Sequence, residues 1–209
     1  MATKLKGVFI TFEGSEGCGK STQAKRLCAF LKRKKQAVLH VREPGSIKIS
    51  EKIRQILLDE KNNEMAQACE VLLYLAARAQ LVHQIIVPAL KNGMIVVCDR
   101  FQDSTVAYQG YGCGINMDLI TTVGRYVTQG IKPDLTFLLD LETAKGLSRI
   151  QQPKDRIEQR SLAYHNRVRR GYLTIAKAEP GRVKVIAGQQ SREEIQKIIQ
   201  QHVAELLNL

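Results

Sequence analysis

The run Gly14-Ser15-Glu16-Gly17-Cys18-Gly19-Lys20-Ser21, followed by Thr22, has the spacing G-x-x-x-x-G-K-[ST]. Its glycines permit a tight loop whose amides turn inward toward phosphate oxygens. A helix that starts beside the lysine adds the positive end of its dipole. Lys20 is then placed to bridge the β- and γ-phosphates of ATP, and the Ser21 hydroxyl to ligate Mg²⁺. By itself the motif implies nucleotide phosphate binding and nothing about the acceptor. Asp99 ends the apolar run Met94–Cys98, where a carboxylate would hold Mg²⁺ through water, and Arg100 follows it. Asp140, after Thr136–Leu139, is a rival for that role.

These residues need a frame. Short apolar runs alternate with longer amphipathic ones, as a parallel sheet with crossover helices requires. Val8–Phe12, Ala37–Val41, Met94–Cys98, Leu135–Leu141 and Val183–Ile186 read as strands. Lys20–Lys34 reads as a helix with Ala24, Leu27, Cys28 and Leu31 on one face. Glu51–Leu58, Glu64–Asn92, Leu119–Gln129, Thr143–Ile150, Glu158–Lys177 and Arg192–Leu207 read as further helices, the long one kinking or ending near Pro88. Ligands of such sheets bind beyond the carboxyl ends of the strands, where every motif above falls. With no repeat and no Pro/Gly linker, residues 1–209 read as a single domain.

Composition narrows the setting. The five cysteines (Cys18, Cys28, Cys69, Cys98, Cys113) are odd in number and form no CxxC pair, which suggests thiols in a reducing cytoplasm. Met1–Gly7 is short and polar and enters a strand at once, so no signal peptide is expected. No stretch approaches the roughly 18 unbroken apolar residues of a membrane span. The net charge of +12 admits a nucleic-acid footprint or a solvated basic surface with a polyanion site. The basic residues are spread out, with concentrations at Lys32–Lys35 and Arg156–Arg170, and carry no cluster of stacking aromatics. The second reading is preferred.

Further segments carry a resemblance. Phe12-Glu13-Gly14, Arg42-Glu43-Pro44-Gly45, Glu51-Lys52-Ile53-Arg54, Ala76-Ala77-Arg78, Asp99-Arg100-Phe101 and the run Asp103–Gly110 occur in an order that resembles the thymidylate kinases, continued by Pro133–Thr136 and Asp155–Glu158. The resemblance covers about Gly7 to Leu173. It implies a three-layer P-loop kinase fold, α/β, with a five-stranded parallel sheet, helices on both faces and a short mobile lid at about 149–157. It implies transfer of the ATP γ-phosphoryl to dTMP, with Mg²⁺, in a homodimer. Glu16 matches a P-loop carboxylate that meets the sugar 3′-hydroxyl. Arg54 and Arg100 match arginines on the acceptor phosphate, and Tyr74 an aromatic stacked on thymine. Arg78 matches an arginine that donates to the base carbonyl. Thr105 and Gln109 match residues around the base edge, Tyr108 one that packs on the deoxyribose, and Glu43 belongs to the same acceptor set.

The residue chemistry agrees. An arginine opposite a carbonyl welcomes thymine and repels the amino group of cytosine, because an unpaired buried donor is costly. Tyr74 and Arg78 are four apart and share a helix face. The acceptor phosphate, with a second pKa of about 6, is already mostly a dianion at neutral pH. No general base is needed; alignment and charge cancellation suffice. Ser15, Glu16, Gly17 and Cys18 include no base, so a lid arginine must reach the phosphoryl group, with Arg149 and Arg156 the candidates beside Lys154. Two features depart from the resemblance. Ser46-Ile47 stand where relatives carry Gly-Thr, and serine takes a positive φ less cheaply. Gln151-Gln152-Pro153-Lys154 makes a short lid. A kinase relaxed toward dUMP, a nucleic-acid-associated P-loop ATPase and a degenerate kinase kept as a binding protein are the competing readings.

Overall fold

The computed structural model describes residues 6–209; most of the polar lead-in expected at Met1–Gly7 lies outside them. The strands are β1 (Val8–Glu13), β2 (Val38–Arg42), β3 (Ile95–Asp99), β4 (Leu135–Asp140) and β5 (Val183–Ala187). They form one sheet in the order β2-β3-β1-β4-β5, every neighbouring pair parallel. Burial on both faces is why the three central strands β1, β3 and β4 are nearly continuous apolar runs, whereas the edge strands β2 and β5 admit His40 and Lys184.

Helices cover both faces. On one, Ile10, Phe12, Val97, Phe137 and Leu139 pack against Ala24, Leu27 and Leu31 of α1 (Lys20–Arg33) and Ile195, Ile199 and Val203 of α8 (Arg192–Leu207). On the other, Phe9, Val96 and Cys98 meet Leu81, Val82, Ile86 and Leu90 of α3 (Gln67–Lys91), while Leu138 and Val183 meet Val168, Tyr172 and Ala176 of α7 (Leu162–Ala178). By length and composition α3 would suffice to cross a membrane; here Val71, Leu75, Leu81, Val82, Ile86 and Leu90 line the core while Leu72 is exposed. The remaining helices are α2 (Lys48–Leu58), α4 (102–112), α5 (Met117–Val127) and α6 (Thr143–Ser148).

The differences from the sequence reading have local causes. Pro88 does not end α3. The helix widens into a π turn at Val82–Ile86, where the Val87 amide donates to the Val82 carbonyl, just before the residue that has no N–H. Helix α4 was not expected; Gly110 and Gly112 disguise it, and most of it is again π-helical. Helix α7 starts at Leu162 rather than Glu158. The Asp155 carboxylate takes the amides of Ile157 and Glu158 in a turn, and Ser161 supplies the N-cap by accepting from the Tyr164 amide.

The Ser46 turn is strained and compensated. Ser46 does adopt a left-handed φ of 70°. Its Oγ accepts from the Arg42 amide at 2.7 Å and donates to the Arg42 carbonyl at 3.1 Å, and its amide donates to Glu51 Oε1 at 2.6 Å. A left-handed non-glycine costs about 1–2 kcal/mol, and an exposed hydrogen bond returns about 0.5–1 kcal/mol. Ser46→Ala keeps the strain and loses the hydroxyl, and is expected to destabilise the fold by about 1 kcal/mol. Ser46→Gly loses the hydroxyl but also the strain, and is expected to lie closer to wild type. Urea unfolding of the two variants checks the order.

Candidate active site

The register gathers the chemistry. Phe12 stands opposite Asp99, and Arg42 opposite Asp99 on the other side, so Glu13, Glu43 and Arg100 leave adjacent strands at one edge. Beyond that edge lies a cavity of about 1110 Å³. The loop from Glu16 to Thr22 lines one end, and Arg54, Tyr74, Arg78, Thr105, Tyr108 and Gln109 line the other.

In the loop, Gly19 caps α1 with a φ of 95° and open space where a side chain would begin, so conformation rather than crowding calls for glycine. Lys20 is buried and donates to the Ser15 carbonyl at 2.7 Å, with the Cys18 thiol 3.5 Å away. The Ser21 hydroxyl donates to the Asp99 carboxylate. Asp140 is instead held by Arg169 at 2.7 and 2.9 Å. Ser21 and Asp99 thus form a pair of hard oxygen donors at the loop, of the kind Mg²⁺ takes. Among the described residues no group of three or more His, Cys, Asp or Glu gathers as a metal cluster.

Arg100 leaves β3 with a left-handed φ of 72°. Glu13, 1% exposed, holds that turn: one oxygen accepts from the Phe101 amide at 2.7 Å, the other from Ser104 at 2.6 Å and Tyr172 at 3.1 Å. Arg100 then donates to both oxygens of Glu16 at 2.9 Å, to the Gly14 carbonyl at 3.0 Å and to Tyr172 at 3.1 Å, and lies over the Tyr108 ring. Tyr108 donates to Glu16 at 2.5 Å. Burial pushes the Glu16 carboxyl up, but Arg100, Lys20 and Tyr108 outweigh it and hold it down at about 2. Glu13 goes the other way: burial and the Asp103 charge push it up to about 7.

Across the cavity Arg78 is fixed on four sides. Its Nε donates to Glu43 at 2.6 Å, Nη1 to Gln102 at 2.7 Å and Thr105 at 2.8 Å, and Nη2 to the Phe101 carbonyl at 2.8 Å. A guanidinium has five N–H donors, so one on Nη2 remains for a ligand. Glu43 therefore stands behind Arg78; burial raises its carboxyl against the pull of that arginine. Arg54 donates to the Pro44 carbonyl at 3.1 Å. Glu13, Gln102 and Tyr172 were not singled out by sequence reasoning, although Glu13 sits inside the quoted Phe12-Glu13-Gly14 segment.

The lid arginines part company. No helix or strand lies between Ser148 and Leu162. Helix α6 touches the phosphate loop so closely that a Cβ on Gly146 would meet the Glu16 carbonyl at 2.3 Å. Arg149 is exposed, with Nη1 3.5 Å from the carbonyls of Gly17 and Gly188. Arg156 does not fit the expectation of a lid cation. It is 5% exposed, donates from Nε to the Leu57 carbonyl at 2.8 Å and pairs with Glu70 at 2.7 Å as an ion pair without hydrogen-bond alignment. Four of the five arginines from Arg156 to Arg170 are engaged internally, with Glu70, the Gly112 carbonyl or Asp140.

A parallel sheet that ends in a phosphate loop on one side and a cation-lined pocket on the other brings two anionic substrates together, which makes the protein a P-loop kinase. The family model for thymidylate kinase matches residues 12–199. The thymidylate kinase of Trichlorobacter lovleyi is 48% identical over 187 residues, covering 86% of this chain and 88% of its own. That of Lactobacillus delbrueckii subsp. bulgaricus is 45% identical over 196 residues, covering 91% and 92%. The crystal structure of thymidylate kinase from Ehrlichia chaffeensis superposes with a TM-score of 0.76 at 35% identity, over 92% of this chain and 98% of that one. The chain belongs to the thymidylate kinase family.

The Glu13 carboxyl sets a pH dependence. Its folded value of about 7 lies above the ordinary 4.5, so its contribution to stability is complete below about 4.5 and is lost as pH rises through about 7. Glu13→Gln cannot ionise. Denaturant unfolding at pH 5.5 and pH 8 is expected to show wild type losing stability relative to the variant at the higher pH; parallel pH profiles would exclude the assignment.

Proposed function

We propose that the protein transfers the γ-phosphoryl of ATP to dTMP, giving dTDP and ADP, in dTTP biosynthesis. The observation that carries this reading is Arg78, immobilised with one free N–H a helical turn after Tyr74, in the same cavity as the phosphate loop. Tyr74 stacks on the base, Arg78 donates to its carbonyl, and Thr105 and Gln109 face its edge. Tyr108 packs on the deoxyribose and Glu16 takes the 3′-hydroxyl. Arg54 and Arg100 hold the acceptor phosphate. The ATP phosphates lie in Gly14–Thr22, with Lys20 on the β- and γ-phosphates.

Mg²⁺ would be held by Ser21 and Asp99 together with phosphate oxygens and water, and supplies charge neutralisation on the donor phosphates. The acceptor dianion attacks in line and needs no base. Lys20, Arg100 and Arg149 stabilise the transferring group, the last from the mostly exposed stretch 149–154, the part of the expected lid that stops short of the buried Arg156 and Ile157. The reading includes a cytoplasmic homodimer. The free cysteines support a reducing compartment, and Leu72 on α3 with Leu119 and Tyr126 on α5, all exposed, support a self-pairing face. Membrane and nucleic acid have no part in it.

A coupled ADP-release assay across nucleoside monophosphates tests the reading, and a preference for AMP, GMP or CMP over dTMP would sink it; comparison with dUMP measures relaxation at C5. Lys20→Ala is expected to lower kcat by about 100-fold or more while dTMP still binds. Arg78→Ala is expected to weaken dTMP about 10-fold to 100-fold with little change in ATP affinity, as read by calorimetry. An equal loss for both ligands removes Arg78 from the base pocket.

A further inference from the structure

Glu70 has no part in the site described so far, yet four groups converge on it. It lies in the first turn of α3, with a side chain only 1% exposed. Arg160 donates to its Oε2 at 2.5 Å and Arg156 sits 2.7 Å from the same atom. Gln109 donates from Nε2 to its Oε1 at 3.1 Å, and the Cys113 thiol lies at 4.0 Å. Gln109 is 2% exposed and lines the cavity beside Tyr74, Arg78 and Thr105.

A carboxylate only accepts hydrogen bonds. Gln109 can therefore turn only its NH₂ toward Glu70, and its carbonyl oxygen is the end left for the cavity. No protein donor within hydrogen-bond distance satisfies that oxygen among the described residues. The amide orientation thus follows from Glu70 rather than from an arbitrary choice between nitrogen and oxygen. The pocket edge then offers one N–H from Arg78 and one acceptor from Gln109. A ring that places a carbonyl beside an N–H, as thymine and uracil do, complements both. Cytosine places an amino group and a bare ring nitrogen there and complements neither.

We propose that Glu70 is a positioning residue for base selection: it fixes the Gln109 amide so that its oxygen reads the ring N–H of the acceptor base. The inference rests on the dTMP reading of the cavity.

Glu70→Gln makes a directional prediction. The two arginines, donors only, take the one amide oxygen that remains. Its NH₂ then faces Gln109, which must reverse and present NH₂ to the cavity. The measured quantity is the ratio of kcat/KM for dTMP over 5-methyl-dCMP, two acceptors that differ only at this edge. The ratio is expected to fall about 10-fold to 100-fold, through the acceptor KM, with the ATP KM unchanged. A structural role would lower stability or kcat and leave the ratio alone. In the Gln109→Leu background, which keeps the arginine pair in place, Glu70→Gln is expected to leave the ratio unmoved. An unchanged ratio in folded Glu70→Gln overturns the proposal, as does an unchanged ratio in Gln109→Leu should Glu70→Gln fail to fold. If wild type turns over no dTMP, the functional reading fails on its own; calorimetric binding of the same two nucleotides then gives the ratio, and an unchanged value again overturns the role of Glu70.

Discussion

The buried carboxyl of Glu13 at the end of β1 is the interaction on which the site depends. Arg100 must leave β3 in a left-handed turn, at a cost of about 1–2 kcal/mol for a non-glycine residue. Without a partner the chain would leave β3 by an ordinary extended path, and the guanidinium would miss the cavity. Glu13 supplies that partner on both sides of the turn, through the Phe101 amide and the Ser104 hydroxyl. Each of these hydrogen bonds contributes about 0.5–1.5 kcal/mol net, so the two together offset the strain. The same turn presents the Phe101 carbonyl to Arg78, so both halves of the acceptor pocket hang on it. The arrangement also tolerates a proton. Ser104 and Tyr172 share a hydrogen bond of 2.7 Å in which either can donate, so a protonated Glu13 can donate to one of them while its other oxygen keeps the Phe101 amide.

Much of this was legible in the sequence because it is written in local chemistry. Short apolar runs marked all five strands, interrupted only by His40 and Lys184 in the edge strands, and the glycine pattern marked the loop and the start of α1. The cavity also brings together the residues named for the acceptor, Arg54, Tyr74, Arg78, Thr105, Tyr108 and Gln109, because they follow strand ends or share a helix face. What stayed hidden depends on long-range pairing. Glu13, Gln102, Tyr172 and Glu70 acquire their roles only when β1, α3, α4 and α7 pack together. Arg156 shows the converse error. A basic residue in a loop reads as free, but its partner is 86 positions away in sequence and buried. Helix α4 was missed because its glycines signal turns; there Gly112 serves contact instead, since a Cβ would strike the Tyr164 ring at 2.7 Å.

The ion pairs of the site differ in how easily they yield. Glu16 and Arg100 are each 17% exposed and face the cavity. Facing the cavity, each half of the pair is within reach of an incoming anion or hydroxyl, which in the proposed reading are the acceptor phosphate and the sugar hydroxyl. Until then Glu16 keeps Arg100 from collapsing onto another anion. Glu70 and Arg156 are 1% and 5% exposed. Breaking a buried pair costs about 3–5 kcal/mol. The two carboxylates therefore have opposite tasks. In the proposed reading Glu16 gives way to the acceptor, whereas Glu70, held by two arginines, keeps the Gln109 amide in one orientation. On the proposal made for Glu70, selection by a fixed acceptor follows from that difference in burial rather than from any difference in side-chain chemistry.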